Sequence, residues 1–280
     1  MIKEKIYRNT DFFNFASEFK KHGYCFLAGH FHINKYIHIF DLGSIFTMVR
    51  DPIQRVASEY YHFKKYNDFK GDFESFYTDP RFINRQTSLL GMSLWPLLGF
   101  IGMSEEFDLS IKLINQNYRF QLPNLELNKH SEDVAYRHHI SGHDLQAIRT
   151  INHSDIKLYE AVKEQFSQRI YAMENELPFF RGTISRLKNG ILIGWVIPHE
   201  EERPVEVDVI INGIHASRIR AIEYHPFVGR FQSKRLGYVG FNYRLESYSP
   251  SDTIEVKISA TQQQLVNSPF MVTVEHMEKI

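Results

Sequence analysis

Apolar positions along the chain fall into two regimes. Up to about residue 178 they recur mainly at three- and four-residue spacing, broken by a few short unbroken runs. From Arg181 onward that spacing disappears and alternation takes over. In the first regime the run Ser44–Val49 is apolar, aromatic and β-branched, and predicts a buried strand. It ends at Arg50-Asp51-Pro52, where Asp51 suits a helix N-cap and Pro52 the first helical position, because its missing N–H has no partner there anyway. In the predicted helix, Ile53, Val56, Ala57, Tyr60 and Phe63 share the face turned to the sheet. Arg55 and Ser58, three apart, lie on another face. Upstream, Asn9 to Lys21 predicts a helix capped by Asn9 or Thr10, and Tyr24 to Ala28 a short buried strand ending at Gly29-His30-Phe31-His32. Tyr66 to Pro80 reads as loop and short helix. Ile101 to Ile114 reads as a core helix capped at Ser104, and Ile151 to Phe166 as a late helix with Asp155 at its start.

In the second regime Ile191 to Ile197 is a strand run, and Val205, Val207 and Val209 alternate with polar partners. Asn212-Gly213 is a strong two-residue hairpin signal. Further extended runs follow at Tyr238 to Leu245, Ile254 to Ile258 and Phe270 to Val274. The chain therefore divides into an α/β domain, 1–179, and an all-β domain, 180–280, expected to be an antiparallel sandwich. No nucleophile–base pair is legible in the second domain, and Trp195 is expected in its core.

Composition narrows the function classes. With 43% hydrophobic residues among 280, the chain can bury proper cores, and with 33 basic against 33 acidic residues it carries no general field for nucleic acid. Any anion site must be local. The single cysteine, Cys25, excludes an intrachain disulfide framework and a cysteine zinc cluster, which fits a reducing, cytoplasmic setting. No apolar run is long enough to span a membrane. His139 and His143 are four apart, but Gly142 lies between them and no acidic partner follows at a metalloprotease spacing, so the expectation is no metal and a polar loop at Leu125 to His143.

Arg50, a helix N-terminus and the Ser58 hydroxyl make a grouping suited to phosphate; the plain alternative is a strand-to-helix turn whose arginine pairs with a neighbouring carboxylate. The longer pattern R-D-P-x-x-R-x-x-S followed by E-Y-Y-H-F resembles the 3'-phosphate-binding segment of sulfotransferases that use 3'-phosphoadenosine 5'-phosphosulfate (PAPS), in the branch of the heparan sulfate 2-O-sulfotransferases and their bacterial relatives. Ile101 to Ile114 resembles that family's V-G-L-T-E-x-F-D-x-S-L-x-L-L segment, and Ile151 to Phe166 its N-x-x-D-x-x-L-Y-E pattern. The resemblance implies a three-layer, P-loop-like core with a parallel sheet, and a sulfuryl transfer from PAPS to a carbohydrate hydroxyl without a metal. Arg50 and Ser58 would hold the 3'-phosphate with Arg55 as a helper, and His30 of Gly29-His30 would be the general base. Imidazole suits that task because it titrates near neutrality, although histidines at a strand end are also common polar rim residues. His32, Asn84 and Gln86 are candidates for substrate contacts; for the two amides the plain reading is a polar loop.

One part of the family pattern is missing. No lysine followed by glycine and hydroxyl residues stands ahead of Gly29, so the loop that cradles the 5'-phosphosulfate is not legible. Three readings stay open: a truncated enzyme, a site completed by another chain or a second copy that also covers the bare strand, or a homologue that keeps the shell without the chemistry. The last would be a silent glycan-binding or scaffolding protein. Phosphoryl transfer on related architecture lacks both a phosphate loop and a magnesium-binding pair.

Overall fold

The computed structural model describes residues 8, 10–124, 140–199, 203–231 and 234–276. Its first part contains helix α1 (Phe12–Lys21), strand β1 (Phe46–Val49), helices α2 (Pro52–Tyr66), α3 (Phe73–Tyr77) and α4 (Arg85–Leu90), strand β2 (Phe100–Met103), and helices α5 (Phe107–Tyr118), α6 (Gly142–Ile151) and α7 (His153–Glu174). Strands β1 and β2 are parallel, with Phe46 opposite Phe100 and Val49 opposite Met103. Helices α5 and α7 cover β2, which is wholly buried. The α/β character is as expected, but among the described residues the parallel sheet has only these two strands.

Several local expectations need correction. The N-cap of α1 is Asp11, whose carboxylate accepts from Asn14 N, and not Asn9 or Thr10. Tyr24 to Ala28 forms no strand, and Tyr24 and Phe26 are more than half exposed. The segment touches β1 through Phe26, whose ring lies 5.8 Å from the Phe46 ring. Without ladder bonds its backbone has no reason to adopt a strand register. For the same reason β1 is buried only at Val49 and half-buried elsewhere. Residues 101–103 belong to β2 and not to a helix; Ser104 opens a single 3-10 turn, and α5 begins at Phe107.

The apolar face of α2 is buried as expected at Ile53, Val56, Ala57 and Tyr60, but it meets another partner. It packs on Phe76, Tyr77, Phe82 and Ile148 rather than on the sheet, with Phe76 and Phe82 stacked at 3.9 Å. A sequence period specifies that a face is apolar, not what covers it.

The second part is a sandwich of two antiparallel four-stranded sheets. Strands β3 (Arg181–Lys188), β4 (Ile191–Ile197), β5 (Glu206–Ile211), β6 (Ile214–Arg220), β7 (Glu223–Tyr224), β8 (Tyr238–Arg244), β9 (Thr253–Ile258) and β10 (Phe270–Met271) are ordered β3-β4-β8-β7 and β10-β9-β5-β6. Between β7 and β8 lies the short helix α8 (Pro226–Gly229). The inward residues of the two sheets, among them Ile184, Leu192, Val207, Val209, Ile254 and Val256, form one core. Asn212 and Gly213 make the expected hairpin, both at positive φ, so that Ile211 faces Ile214.

The change from helix to strand falls between Glu174 and Arg181, but the packing does not break there. Trp195, Ile197, Val228, Val239 and Val266 of the β part share one apolar cluster with Val49, Leu97, Phe100, Leu158 and Phe166 of the α/β part. Trp195 is 1% exposed and belongs to that cluster.

Candidate functional site

The C-terminal ends of parallel strands are where α/β sheets place ligands, because the loops that follow are free to diverge there. Here β1 ends at Val49, and the next residue, Arg50, is held by an unusual clamp. Gln86 of α4 accepts from Arg50 N at 2.8 Å and donates to Arg50 O at 2.9 Å, so one side-chain amide satisfies both backbone groups. With its peptide fixed, the Arg50 guanidinium makes no hydrogen bond or ion pair with any described residue. The alternative of a carboxylate-paired Arg50 is therefore not what the structure holds.

The N-terminus of α2 is less open to an anion than its position suggests. Asp51 accepts from Gln54 N at 2.9 Å, Glu105 accepts from Asp51 N at 2.6 Å, and Pro52 has no N–H. Most of the donors that a helix start usually presents are thus spent on two carboxylates. Tyr159 of α7 lies in the same field; burial first, then Glu105 and Asp51, push its phenol well above the usual range. An anion here must be bound mainly by side chains. Ser58, half-buried one turn beyond Arg55, has a hydroxyl without a hydrogen bond to any described residue.

Arg55 is turned inward. It pairs with Glu59 at 2.6 Å, donates to Phe82 O at 2.9 Å and to Asn152 Oδ1 at 3.3 Å, and lies 3.7 Å from Asp155. Burial lowers its pKa, and the Glu59 and Asp155 carboxylates oppose that shift. These partners make it a framework residue rather than a helper at the anion.

Asn84 is likewise structural. Its Oδ1 accepts from Ser154 N and Asp155 N at 3.0 and 3.1 Å, capping α7, and its own φ is 47°. In return Asp155 caps α4, accepting from Thr87 N at 2.7 Å and Gln86 N at 3.2 Å, while Asn152 Oδ1 accepts from Asn84 N. Asn152 and Asp155 are both fully buried. Two segments that read as separate in sequence, Asn84 to Thr87 and Asn152 to Asp155, are one reciprocal cap. Gln86 therefore reaches Arg50 from an anchored helix, with both its amide oxygen and its amide nitrogen bonded to the Arg50 backbone.

His32 joins the same assembly: its Nδ1 lies 3.0 Å from Ser88 O on α4. A carbonyl only accepts, so Nδ1 carries the proton and Nε2 is the basic position of the neutral ring. His30 is exposed at a bend two residues earlier. The structure thus ties His32, Gln86 and Arg50 through α4. His130, His138 and His139 lie outside the described residues, and His143 is exposed on α6. Among the described residues no group of three metal-ligating side chains occurs.

A second concavity lies on the outer face of the β3-β4-β8-β7 sheet, with a volume of about 580 Å³. Contrary to expectation, the β part does hold a hydroxyl–imidazole pair there: Ser185 Oγ lies 3.3 Å from His225 Nε2. Ser185 sits at a bulge in β3, a device that redirects a side chain, and pairing across a bulge and a turn has no sequence signature. Burial, then Arg186, lowers the His225 pKa. Its buried Nδ1 has no partner among the described residues, so none of them orients the ring as the third group of a hydrolytic triad would.

Compared with protein-family profiles, with curated proteins and with solved structures, the chain matches none. Among the described residues no helix is long and apolar enough to cross a membrane.

Proposed function

We propose that this chain is a sulfotransferase-type nucleotide-binding protein that acts on a carbohydrate hydroxyl with PAPS as sulfuryl donor. The observation that carries the reading is the Arg50 residue, fixed at its backbone by Gln86, with a guanidinium that has no partner among the described residues, where β1 hands over to α2. With Ser58 it supplies a forked cation and a neutral donor, a set suited to the nucleotide's 3'-phosphate. For the 5'-phosphosulfate the described residues offer no comparable cradle, so they account for half of a donor site. When bound, PAPS supplies an activated sulfuryl group. The chain's own share is to grip the 3'-phosphate and to take a proton from the acceptor hydroxyl, with His30 as the base that the resemblance implies. His32 has its Nδ1–H committed to Ser88 O.

The test is calorimetric titration with 3'-phosphoadenosine 5'-phosphate. Arg50→Ala is expected to weaken binding about ten- to a hundredfold, the worth of a charged hydrogen bond, and Ser58→Ala by less. His30→Ala should leave binding intact and, if transfer to a sugar is observed, lower it at least about a hundredfold. If Arg50→Ala binds as the parent does, the reading fails.

A second reading, a catalytically silent glycan-binding protein, is favoured by the cavity at Ser185 and His225. Nucleotide binding without transfer to any sugar would select it.

A further inference from the structure

At the end of the β1–β2 pair opposite Arg50, two arginines converge from the two halves of the molecule. Arg169 of α7 donates through Nη2 to Gly99 O at 2.8 Å, and Arg181 at the start of β3 donates through Nη1 to Leu97 O. Arg169 also stacks on Phe179 at 3.9 Å. A guanidinium has five N–H donors, so most of those present here have no acceptor among the described residues. No carboxylate among the described residues comes within ion-pair distance of either group. Asp41, whose field reaches Arg181, spends its Oδ1 on Gly43 N.

The two cations also act on each other. Burial, with a further push from Arg181, takes the Arg169 pKa down to about 9, and the group is still protonated at neutral pH. Both line a polar cavity of about 140 Å³ together with Lys234, His199 and the backbone of Gly43 and Gly99. Lys234 is held at its mouth by a bond from Nζ to His199 O. A Cβ on Gly43 would approach the Arg181 guanidinium to 3.1 Å, so a side chain there would crowd it. Half-buried cations gathered at one cavity repel one another, and a single multivalent anion would offset that repulsion for all three.

We propose that this cavity binds a tetrahedral oxyanion, sulfate or phosphate or an ester of either, held by Arg169, Arg181 and Lys234. It is separate from the nucleotide site: the four residues of β1 alone span about 13 Å. An anion seated there touches both halves of the molecule and so binds the folded state more tightly than either half alone.

The full chain is titrated with sodium sulfate, sodium phosphate and, at matched ionic strength, sodium chloride, while thermal unfolding is followed. Sulfate or phosphate should raise the midpoint saturably and chloride should not. Arg50→Ala should keep the response, which separates this site from the nucleotide reading. Arg181→Gln should abolish it, and Lys234→Gln, on the more accessible residue, should weaken the apparent affinity about tenfold. A 6-O-sulfated hexose that binds more tightly than inorganic sulfate identifies an ester as the ligand, and a weaker one the free ion. A response equal in chloride, or one unchanged in Lys234→Gln and in whichever of Arg181→Gln and Arg169→Gln folds, means an adventitious ion only and overturns the proposal.

Discussion

Asp155 shows how one buried carboxylate can set the position of a residue it does not touch. Its two oxygens accept from Gln86 N and Thr87 N, and the amide of Gln86 in turn holds Arg50. Asp155→Ala removes the cap of α4 and takes a counter-charge from Arg55, and should destabilise the protein by about 3–5 kcal/mol in urea unfolding, the range for a broken buried pair. Gln86→Leu should cost less, about 1–3 kcal/mol for two lost bonds to backbone. In sequence, Asp155 was legible as a helix-start residue and Arg50 as a strand-end cation. Their connection was not, because a reciprocal cap depends on how two helix ends meet across 68 residues. Arg55 illustrates the converse. Its spacing from Ser58 was read correctly, yet Glu59 and Asp155 turn its charge inward.

Among elements, turns carried the clearest local signal and close approaches the least. Asn212-Gly213 announces its hairpin through residue types that tolerate positive φ, as Asn189-Gly190 does between β3 and β4. Gly213→Ala meets no atom within 4 Å but must hold φ at +78°, and should cost about 1–2 kcal/mol. Gly99 announces nothing. A Cβ there would come within 1.9 Å of Gly43 O and 2.1 Å of Tyr118 Oη, so Gly99→Ala requires the leads into β1 and β2 to separate. We expect Gly99→Ala to yield little soluble protein while Gly213→Ala folds, a contrast that expression and circular dichroism would show. The failed strand at Tyr24 to Ala28 belongs at this scale also: its composition suits a sheet, but strand formation needs a neighbour to bond with.

For the molecule as a whole, both tryptophans report on the same place. Trp95 and Trp195 are 7% and 1% exposed and lie in the cluster that joins the two parts, so their fluorescence should change in one transition together with the far-ultraviolet signal. Acid should drive that transition. The Asp208 carboxyl, 5% exposed on β5, is held down to about 2 chiefly by its hydrogen bond to Arg218. A carboxyl more acidic in the folded state stabilises above its unfolded value of about 4, and that stability is lost as pH falls towards 2. After a discount for the half-exposed Arg218, the contribution is about 1–2 kcal/mol. Arg218→Ala should raise the pH of acid unfolding, and an unchanged midpoint would remove Asp208 from the account.

The switch from helical to alternating pattern near residue 178, the hairpin at Asn212-Gly213 and the strand-to-helix hand-over at Arg50 all follow from local chemistry and were determined by the sequence alone. Each depends on residues within one turn or one strand. Tertiary structure alone decided that Arg55 is paired inward while Arg50 has no side-chain partner among the described residues, which backbone the amide of Gln86 holds, and that Arg169 and Arg181 meet at one cavity. Those outcomes rest on hydrogen bonds and charges between segments distant along the chain, and a donor has no assigned acceptor until packing brings the two together.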